Sequence, residues 1–395
     1  MSGTEEKGVY RALFIVNFLA CLGFGIADPF FPVYATSNGA AGIHLALIFS
    51  GFAAAKTLFS PLTGWWSDRI GRRRLLVIGL FAHAAIAIGY LCLPSPSSLI
   101  LLRFLQGIAA ALVRPVSLAY IGDMAPARHE GTAMGTFDIS YYAALAIGPV
   151  AGGIVKDTFG FPGIFICLSA LCMLAFLTAL VFVRHFGKNR VSEIRTLRVD
   201  LSVLKKSGTL IALCGFIFSR TFGIVYFGMF LPIFMFENLR LTGIEMGVVM
   251  GANTIVTALM LRPMGLLSDR VARDRLILTG GTAAALLTAF LPLSETFPHI
   301  LFLSIGIGFA SVLSLPASSA LLVEEGNRQG MGLTMGIFNA AMNLGAVLAP
   351  LAGGILFSLF GMKAVFYGAG FLGLGGVCFY HLARNTRKGD SGQGS

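Results

Sequence analysis

The sequence predicts an all-α membrane protein with twelve transmembrane helices in two six-helix bundles that are related by a pseudo-twofold axis. Three observations predict this fold class: an apolar composition, a series of long apolar runs, and a repeat of motifs at half the chain length. Hydrophobic residues make up 56% of the chain and charged residues 12%, and the mean hydropathy is +0.82. Because each span needs about 20 apolar residues, this composition excludes a soluble globular protein.

Twelve apolar runs follow one another along the chain with short loops between them. The predicted spans lie near 10–35, 42–66, 74–93, 98–122, 131–155, 161–184, 209–236, 241–267, 275–293, 297–323, 330–356 and 361–384. The predicted domains are an N-terminal six-helix bundle at 1–184, a basic cytoplasmic linker at 185–208, a C-terminal six-helix bundle at 209–388 and a disordered tail at 389–395.

The basic residues predict the orientation of the chain in the membrane. A net charge of +11 would suggest a nucleic-acid partner in a soluble protein, but here most Lys and Arg fall in alternate loops. The outer loops would hold only Lys156, Arg240 and Lys363. Cytoplasmic loops are enriched in Lys and Arg, so both termini are predicted to be cytoplasmic in a multi-pass protein of the cell (inner or plasma) membrane. We expect the linker to lie against anionic lipid, and we expect no nucleic-acid partner.

Several kinds of chemistry find no support in the sequence. The phosphate-binding pattern G-x-x-x-x-G-K-[ST] is absent from the sequence, so ATP is not expected to drive the protein directly. The six cysteines lie in or near apolar runs without the spacing of metal ligands. We therefore predict neither an enzyme nor a metal or other cofactor.

A charged hairpin occurs twice, between the second and third spans of each half. It begins at Gly64 in the first half and at Gly265, 201 residues later, in the second. The same offset relates three further pairs: Gly148–Gly153 with Ala349–Gly354, Phe159–Gly160 with Phe360–Gly361, and Pro115 with Pro316. Several motifs that share one offset indicate duplication, and parallel halves with a substrate site near the midplane are a known transporter plan.

These motifs resemble those of the major facilitator superfamily over essentially the whole chain. Four patterns carry the resemblance: G-x-x-x-D-R-x-G-R-R at 64–73, Leu99-x-x-x-Arg103-x-x-Gln106-Gly107, Gly148-Pro149 with Gly152-Gly153, and Leu22-Gly23 followed by Pro29-Phe30-Phe31-Pro32. The second hairpin departs from the pattern, because Ala272 replaces a Gly and Asp274 a basic residue. The resemblance implies the major facilitator fold, alternating access, a monomer, and the branch of twelve-span drug/proton antiporters.

The hairpins are predicted to gate the cytoplasmic side. A carboxylate at Asp68 can interact with the positive N-terminus of a neighbouring helix, and the resemblance suggests the helix that begins near Gly330. Asp269 would do the same near Gly131. We also expect Arg69, Arg72 and Arg73 to pair with Asp123 or Glu130, while the alternative is that these basic residues only hold the hairpin in the cytoplasm. The predicted gate residues in the hairpins and their partners are Gly64, Asp68, Arg69, Gly71, Arg72, Asp123, Asp269 and Arg270.

Gly148 and Pro149 complete the predicted gate. Proline removes a backbone donor and bends a helix, and neighbouring glycines allow close helix contact. The resemblance implies a tight seal against the other half of an antiporter. Ordinary packing of small residues is the alternative.

Charges inside spans are costly and usually functional. Asp28 lies well inside the first run and beside Pro29, so it is the leading candidate for proton coupling. If the first span is shorter, Asp28 lies at the outer rim and is only a cap. Asn17 lies three helical turns earlier on the same face and is a candidate for substrate binding.

The fourth and fifth spans supply a second charged group. Arg103 and Arg114 are eleven residues apart and share one stripe of the helix. The resemblance implies that Arg103 takes part in proton transfer or ties spans one, four and five together. We expect Arg103, Arg114 and Asp138 to assist Asp28 in proton coupling. Arg114 would bind an anionic substrate group through paired hydrogen bonds or neutralise Asp138 in a structural ion pair. Tyr141 and Tyr142 lie on the face of Asp138 and are further substrate-binding candidates.

The charges within the predicted spans have a positive balance. Two carboxylates, Asp28 and Asp138, accompany four cations: Lys56, Arg103, Arg114 and Arg220. This balance favours an anionic or zwitterionic substrate. In the second half the candidate binding residues are Arg220, Tyr226, Asn253, Asn339 and Asn343, although the asparagines are also expected to bond neighbouring helices.

The sequence therefore predicts a proton-coupled antiporter that exports a small amphipathic molecule by alternating access. Its expected partners are that molecule, protons and the lipid bilayer. One alternative is a proton-symporting importer or a facilitator of organic anions. An alternative of another class is a membrane sensor or scaffold that transports nothing.

Overall fold

The computed structural model describes residues 3–124, 130–183 and 207–390, and the side chains of 8–124, 133–183 and 207–385. Most of the predicted linker, 185–206, and the last five residues of the tail, 391–395, lie outside the described residues. Helices connected by short turns account for nearly all of the described part, and it contains no strand.

The first half contains six helices. They are α1 (Gly3–Ala27), α2 (Phe31–Ser37), α3 (Ile43–Ile70), α4 (Arg72–Cys92), α5 (Pro96–Met124) and α6 (Glu130–Phe182). Helix α6 is long enough for two spans, and Gly160 separates them with a non-helical backbone of φ 67° and ψ −166°. The fifth and sixth predicted spans are therefore the two parts of α6.

The second half contains six more helices and a short 3-10 turn at Leu291–Leu293. They are α7 (Gly208–Glu237), α8 (Gly243–Ser268), α9 (Arg273–Phe290), α10 (Phe297–Gln329), α11 (Met331–Phe360) and α12 (Met362–Asp390). In the described part of the chain, 11 helices are long and apolar enough to cross a membrane, and the longest contains two spans. The predicted fold class of twelve membrane helices is confirmed.

The first predicted span, 10–35, is not one continuous helix. Helix α1 ends at Ala27 and α2 begins at Phe31. Pro29 has no backbone N–H, so the helical hydrogen bond that this residue would donate cannot form. The break therefore places the carboxylate of Asp28 at a turn rather than inside a regular helix.

The helices form two compact units, each with its own apolar core. The first contains residues 1–193 and 240–251, and the second contains 194–239 and 252–395. The first turns of α8 thus pack with the first unit, although the sequence division puts them in the C-terminal bundle. Leu13, Leu76 and Val116 lie in the core of the first unit, and Leu213, Ile277 and Leu321 lie in that of the second.

The duplication is visible in how each unit packs. Gly107 faces the carbonyl of Phe52 in the first unit, and 201 residues later Gly308 faces the carbonyl of Asn253 in the second. A Cβ would meet those oxygens at 2.4 and 2.8 Å. Glycine therefore permits the close backbone approach that membrane helices use where no aqueous hydrophobic force drives them together.

Gly160 and its copy Gly361 share an unusual backbone. Their φ angles are 67° and 80°, with ψ of −166° and 179°, a region that essentially only glycine adopts. We expect Gly160→Ala to cost about 1–3 kcal/mol and to lower the thermal unfolding temperature of the purified protein.

Gly51→Ala is the matched control, because Gly51 lies within α3 and a Cβ there would meet nothing within 4 Å. This variant should be at least as stable as the original chain. Equal unfolding temperatures for the two variants would show that the turn at Gly160 does not need glycine.

Candidate functional site

An ion pair connects the charged hairpin of the first unit to the end of α5. The guanidinium of Arg72 lies 2.9 Å from the carboxylate of Asp123 and 3.5 Å from that of Asp68. In the second unit Arg273 pairs with Glu324, and these two residues follow Arg72 and Asp123 by 201 positions. The ion pair between the hairpin and the end of the fourth span is therefore present in both halves.

The other hairpin residues have different partners. Arg73 donates to the carbonyl of Leu180, and the guanidinium of Arg69 lies 4.0 Å from the ring centroid of Trp65. Gly64, Asp269 and Arg270 are exposed. The contacts expected of Asp68 with Gly330 and of Asp269 with Gly131 would join the two units, and they stay predictions.

The backbone explains why the second hairpin departs from the motif. Gly71 has φ 100° and ψ 132°, a conformation that a residue with a Cβ rarely adopts. Ala272, at the same place in the second copy, has φ −54° and ψ 117°. Alanine fits there because the second turn stays in the region open to all residues.

A buried guanidinium lies beside the break in the first span. Arg103 is 4% exposed, and one of its nitrogens lies 3.2 Å from the carboxylate of Asp28, which is 51% exposed. The same nitrogen donates to Gln106 at 2.9 Å, and Gln106 also accepts from the Tyr90 hydroxyl at 2.7 Å. A half-exposed carboxylate is thus tied to a buried polar network.

Aromatic rings enclose the rest of Arg103. The guanidinium carbon lies 3.6 Å from the centroid of Phe31, 5.3 Å from that of Phe49 and 5.5 Å from that of Phe52. Cations over aromatic faces are attracted to the ring quadrupole, and more strongly where water is excluded. The rings therefore help to keep Arg103 charged inside the unit when its carboxylate partner changes.

Arg114 and Asp138 form a second ion pair in the first unit. Their closest atoms are 3.1 Å apart, and both side chains are more than one third exposed. The ring of Tyr141 lies 3.6 Å from the guanidinium carbon. Lys56 is exposed and interacts electrostatically with Arg114 and Asp28. The group carries more positive than negative charge, with part of its surface open.

Two predicted binding residues are enclosed by their own unit. Asn17 is 1% exposed, and its amide donates to Ser140 at 2.7 Å. Tyr226 is also 1% exposed, and its ring packs against Phe230 with centroids 5.3 Å apart. Both side chains have interhelical or packing contacts in this structure, and a part for them in substrate binding stays a prediction.

The second unit contains a cavity of about 110 Å³. Arg220 and Asn253 contribute to its wall together with Phe216, Phe227 and Ile224. Asn253 donates to the carbonyl of Ser304 at 2.9 Å. The other polar candidates lie elsewhere: Asn339 and Tyr142 are exposed, and Asn343 is half-buried. In the described part of the chain, no cluster of three or more potential metal ligands is found.

Sequence reasoning missed Asp157, which caps α8. Its two carboxylate oxygens accept from the backbone N–H groups of Gly243 and Ile244 at 2.7 and 2.9 Å. A carboxylate at a helix N-terminus satisfies free donors and interacts favourably with the helix dipole. Asp157 follows Gly153 by four residues, so it lies on the same helix face as the glycine motif (Gly148-Pro149 with Gly152-Gly153). That spacing was the available sequence signal for a functional role of Asp157.

The glycine motif brings α6 close to α1 and α8. A Cβ on Gly148 would lie 2.6 Å from the backbone of Gly25, and one on Gly153 would lie 2.3 Å from the carbonyl of Gly243. The carbonyl of Pro149 lies equally close to the Cβ position of Gly247. These contacts all belong to the first unit, and they hold the start of α8 where Asp157 can cap it.

A family model described as Major Facilitator Superfamily matches residues 13–227 and 213–395. The chain belongs to the major facilitator superfamily. It is 28% identical to an uncharacterized MFS-type transporter of Methanocaldococcus jannaschii, over 92% of this chain and 95% of that protein. It is 26% identical to the multi-drug resistance efflux pump PmrA of Streptococcus pneumoniae, over 93% and 94% of the two chains.

Solved structures agree on the fold. A bacterial homolog of the human lysosomal transporter Spinster superposes with a TM-score of 0.82 at 15% identity, over 98% of both chains. The predicted family is confirmed, in its drug-efflux-like branch. The protein is a multi-pass membrane transporter rather than an enzyme. Transporters of this superfamily bind small molecules and are typically monomeric.

We expect Asp157→Ala to destabilise the protein by about 1–3 kcal/mol, because two backbone donors lose a charged acceptor. Thermal unfolding of the purified protein measures the loss. Ser358→Ala is the control: Ser358 is the copy of Asp157 in the second half, and its hydroxyl bonds only a carbonyl of its own helix. If the two variants unfold at the same temperature, the cap contributes nothing to stability.

Proposed function

We propose that this transporter exports small amphipathic molecules in exchange for protons. The ion pair of Asp28 with Arg103 carries the proposal, because a half-exposed carboxylate faces a buried guanidinium. Arginine stays protonated in proteins, so a proton that arrives at this pair binds Asp28. The exposed side of Asp28 gives that proton a route to the carboxylate.

Protonation of Asp28 would change the balance of contacts at the break in the first span. The neutral carboxyl no longer attracts Arg103, whose positive charge is then held by Gln106 and the ring of Phe31. Removing the partner of a buried charge is unfavourable for the charge left behind, and Arg103 is the buried member of this pair. A shift of α1 and α2 that restores solvation or admits a substrate group would relieve this cost.

Two observations support export as the direction of transport. With the termini in the cytoplasm, as the loop charges predict, α1 runs outward and Asp28 lies toward its outer end. Protons would then enter from outside, as an exporter requires. The similarity to a protein named as a multi-drug resistance efflux pump also supports export.

The group around Arg114 is the proposed binding face of the first unit. Lys56 and Arg114 outnumber Asp138 there, and the ring of Tyr141 offers an apolar surface beside them. An anionic or zwitterionic amphipathic molecule would complement this combination of excess positive charge and aromatic surface. Asp138 would assist by releasing Arg114, which would then pair with an anionic group of the substrate.

We also propose a gating role for the two hairpins. Asp68 and Asp123 both contact Arg72, at 3.5 and 2.9 Å, and a change of partner at such a site would give a discrete switch. The side chains of these two pairs are 19–30% exposed, and an exchange between the two carboxylates would keep Arg72 paired during a transport cycle. Gly148 and Pro149 would contribute to the gate through their close backbone contacts with Gly25 and Gly247.

Transport by proteoliposomes with an imposed pH gradient tests the proposal. We expect a zwitterionic fluorescent probe to move against its gradient when protons flow the other way, and we expect Asp28→Asn to reduce this movement at least tenfold. Exchange of probe without a pH gradient should continue in the variant, because the asparagine cannot release a proton but leaves the pathway intact.

Glu295→Gln is the control, since Glu295 is an exposed carboxylate outside the helices. Full gradient-driven transport by Asp28→Asn would contradict the assigned role of Asp28. Movement of probe and protons in the same direction would favour an importer, and exchange unaffected by pH would favour a facilitator of organic anions. A chain that exchanges no probe at all would point to a sensor or scaffold.

A further inference from the structure

The cavity of the second unit contains a guanidinium without a carboxylate. Arg220 lines it on α7, and the remaining wall comes from α8, α9, α10 and α12. Among the described acidic side chains, none lies within ion-pair distance of Arg220, and the cavity wall contains no other charged residue. One of its nitrogens lies 3.3 Å from the carbonyl of Ser311. Arginine has five N–H donors, so most of its capacity remains available.

Most of the other polar side chains on the wall already donate hydrogen bonds, and the hydroxyl of Ser311 is the exception among the described residues. Hydroxyl groups of the wall donate to helix carbonyls at 2.8–3.0 Å, and Asn253 donates to Ser304 at 2.9 Å. The hydroxyl groups belong to Ser219, Thr288 and Ser314. Arg220 is therefore the charged group on this wall with several N–H donors to offer, and the surfaces beside it include aromatic and aliphatic side chains.

The two halves differ at these positions despite their common origin. Arg220 corresponds to Leu19 in the first half, 201 residues earlier, and Asn253 corresponds to Phe52. In the opposite direction, the charged residues of the first unit have uncharged copies in the second. Asp28, Lys56, Arg103, Arg114 and Asp138 correspond to Met229, Thr257, Ser304, Leu315 and Asn339.

We infer that this cavity binds a monoanionic aromatic or branched carboxylate, with its carboxylate on Arg220 and its apolar part against Phe216, Phe227 and Ile224. The inference rests on the proposed transport function and narrows its substrate class. A guanidinium pairs with both oxygens of a carboxylate, and this pairing supplies the missing negative charge.

The size and composition of the wall limit the ligand. An apolar cavity of about 150 Å³ accepts benzene, so a cavity of about 110 Å³ limits the enclosed apolar part of the ligand to at most a single small ring or a short branched chain. One guanidinium balances one negative charge, which disfavours a dianionic phosphate. The lining residues include no acid, which disfavours a cation.

Binding of benzoate to the purified protein, without any gradient, tests the inference. We expect saturable binding by isothermal titration calorimetry, with benzoate at least tenfold tighter than benzamide, its neutral analogue. Arg220→Gln should weaken benzoate binding at least tenfold and leave the weak binding of benzamide unchanged. Arg220→Lys should retain part of the affinity, because it keeps the charge but loses the paired geometry.

A second variant keeps the test decisive if Arg220→Gln does not fold. Gly223 lines the cavity, and a Cβ there would meet nothing within 4 Å. Gly223→Leu should therefore fill the cavity and abolish benzoate binding while Arg220 stays in place. Gly228→Leu is the matched control, because Gly228 lies on the same helix with equal space and does not line the cavity.

Two results would overturn the inference. One is benzoate binding that is unchanged in Arg220→Gln or in Gly223→Leu. The other is chloride that competes with benzoate at equal concentration, because the site would then be a small-anion site without preference for an apolar carboxylate. Since no proton gradient is used, a failure of benzoate binding can be distinguished from a failure of proton-coupled transport in the proteoliposome experiment.

Discussion

A charge that enters a membrane needs a partner, and this constraint organises the polar residues of the transporter. The first unit provides carboxylate partners for two arginines: Arg103 has Asp28, and Arg114 has Asp138, while Lys56 adds a further positive charge beside them. The second unit has Arg220 with only a backbone carbonyl and an apolar cavity beside it. Intramembrane charges are costly and usually functional, so arginines paired with carboxylates in one half and an arginine without a carboxylate in the other imply different tasks within one duplicated scaffold.

The duplication preserved packing and loop contacts better than the polar interior. Gly107 and Gly308 make equivalent close approaches, and Arg72–Asp123 has its counterpart in Arg273–Glu324. These features hold a bundle together whatever it transports. Side chains that contact substrate or protons do not need to be the same in both halves. They could therefore diverge between the halves while the helices kept their positions.

The sequence was sufficient for the number of spans, the repeat and the family, because each depends on composition or on motif spacing. It also suggested that Arg72 pairs with Asp123, since both belong to loops on the same side. It was insufficient for the break at Asp28, for the burial of Asn17 against Ser140 and for the cap that Asp157 gives α8. Those depend on the rotation of one helix against another, and helices that are apolar on every face give no periodic signal for it.

The different backbones of Gly71 and Ala272 bear on how a duplicated motif is recognised. A turn at φ 100° admits little besides glycine, so random substitution at that site would be removed by selection for a folded chain. A turn at φ −54° accepts any L-amino acid except where contacts forbid it. Neutral substitution would therefore change the copy at Ala272 before the copy at Gly71. The motif by which such a chain is recognised would then be preserved in the first half only.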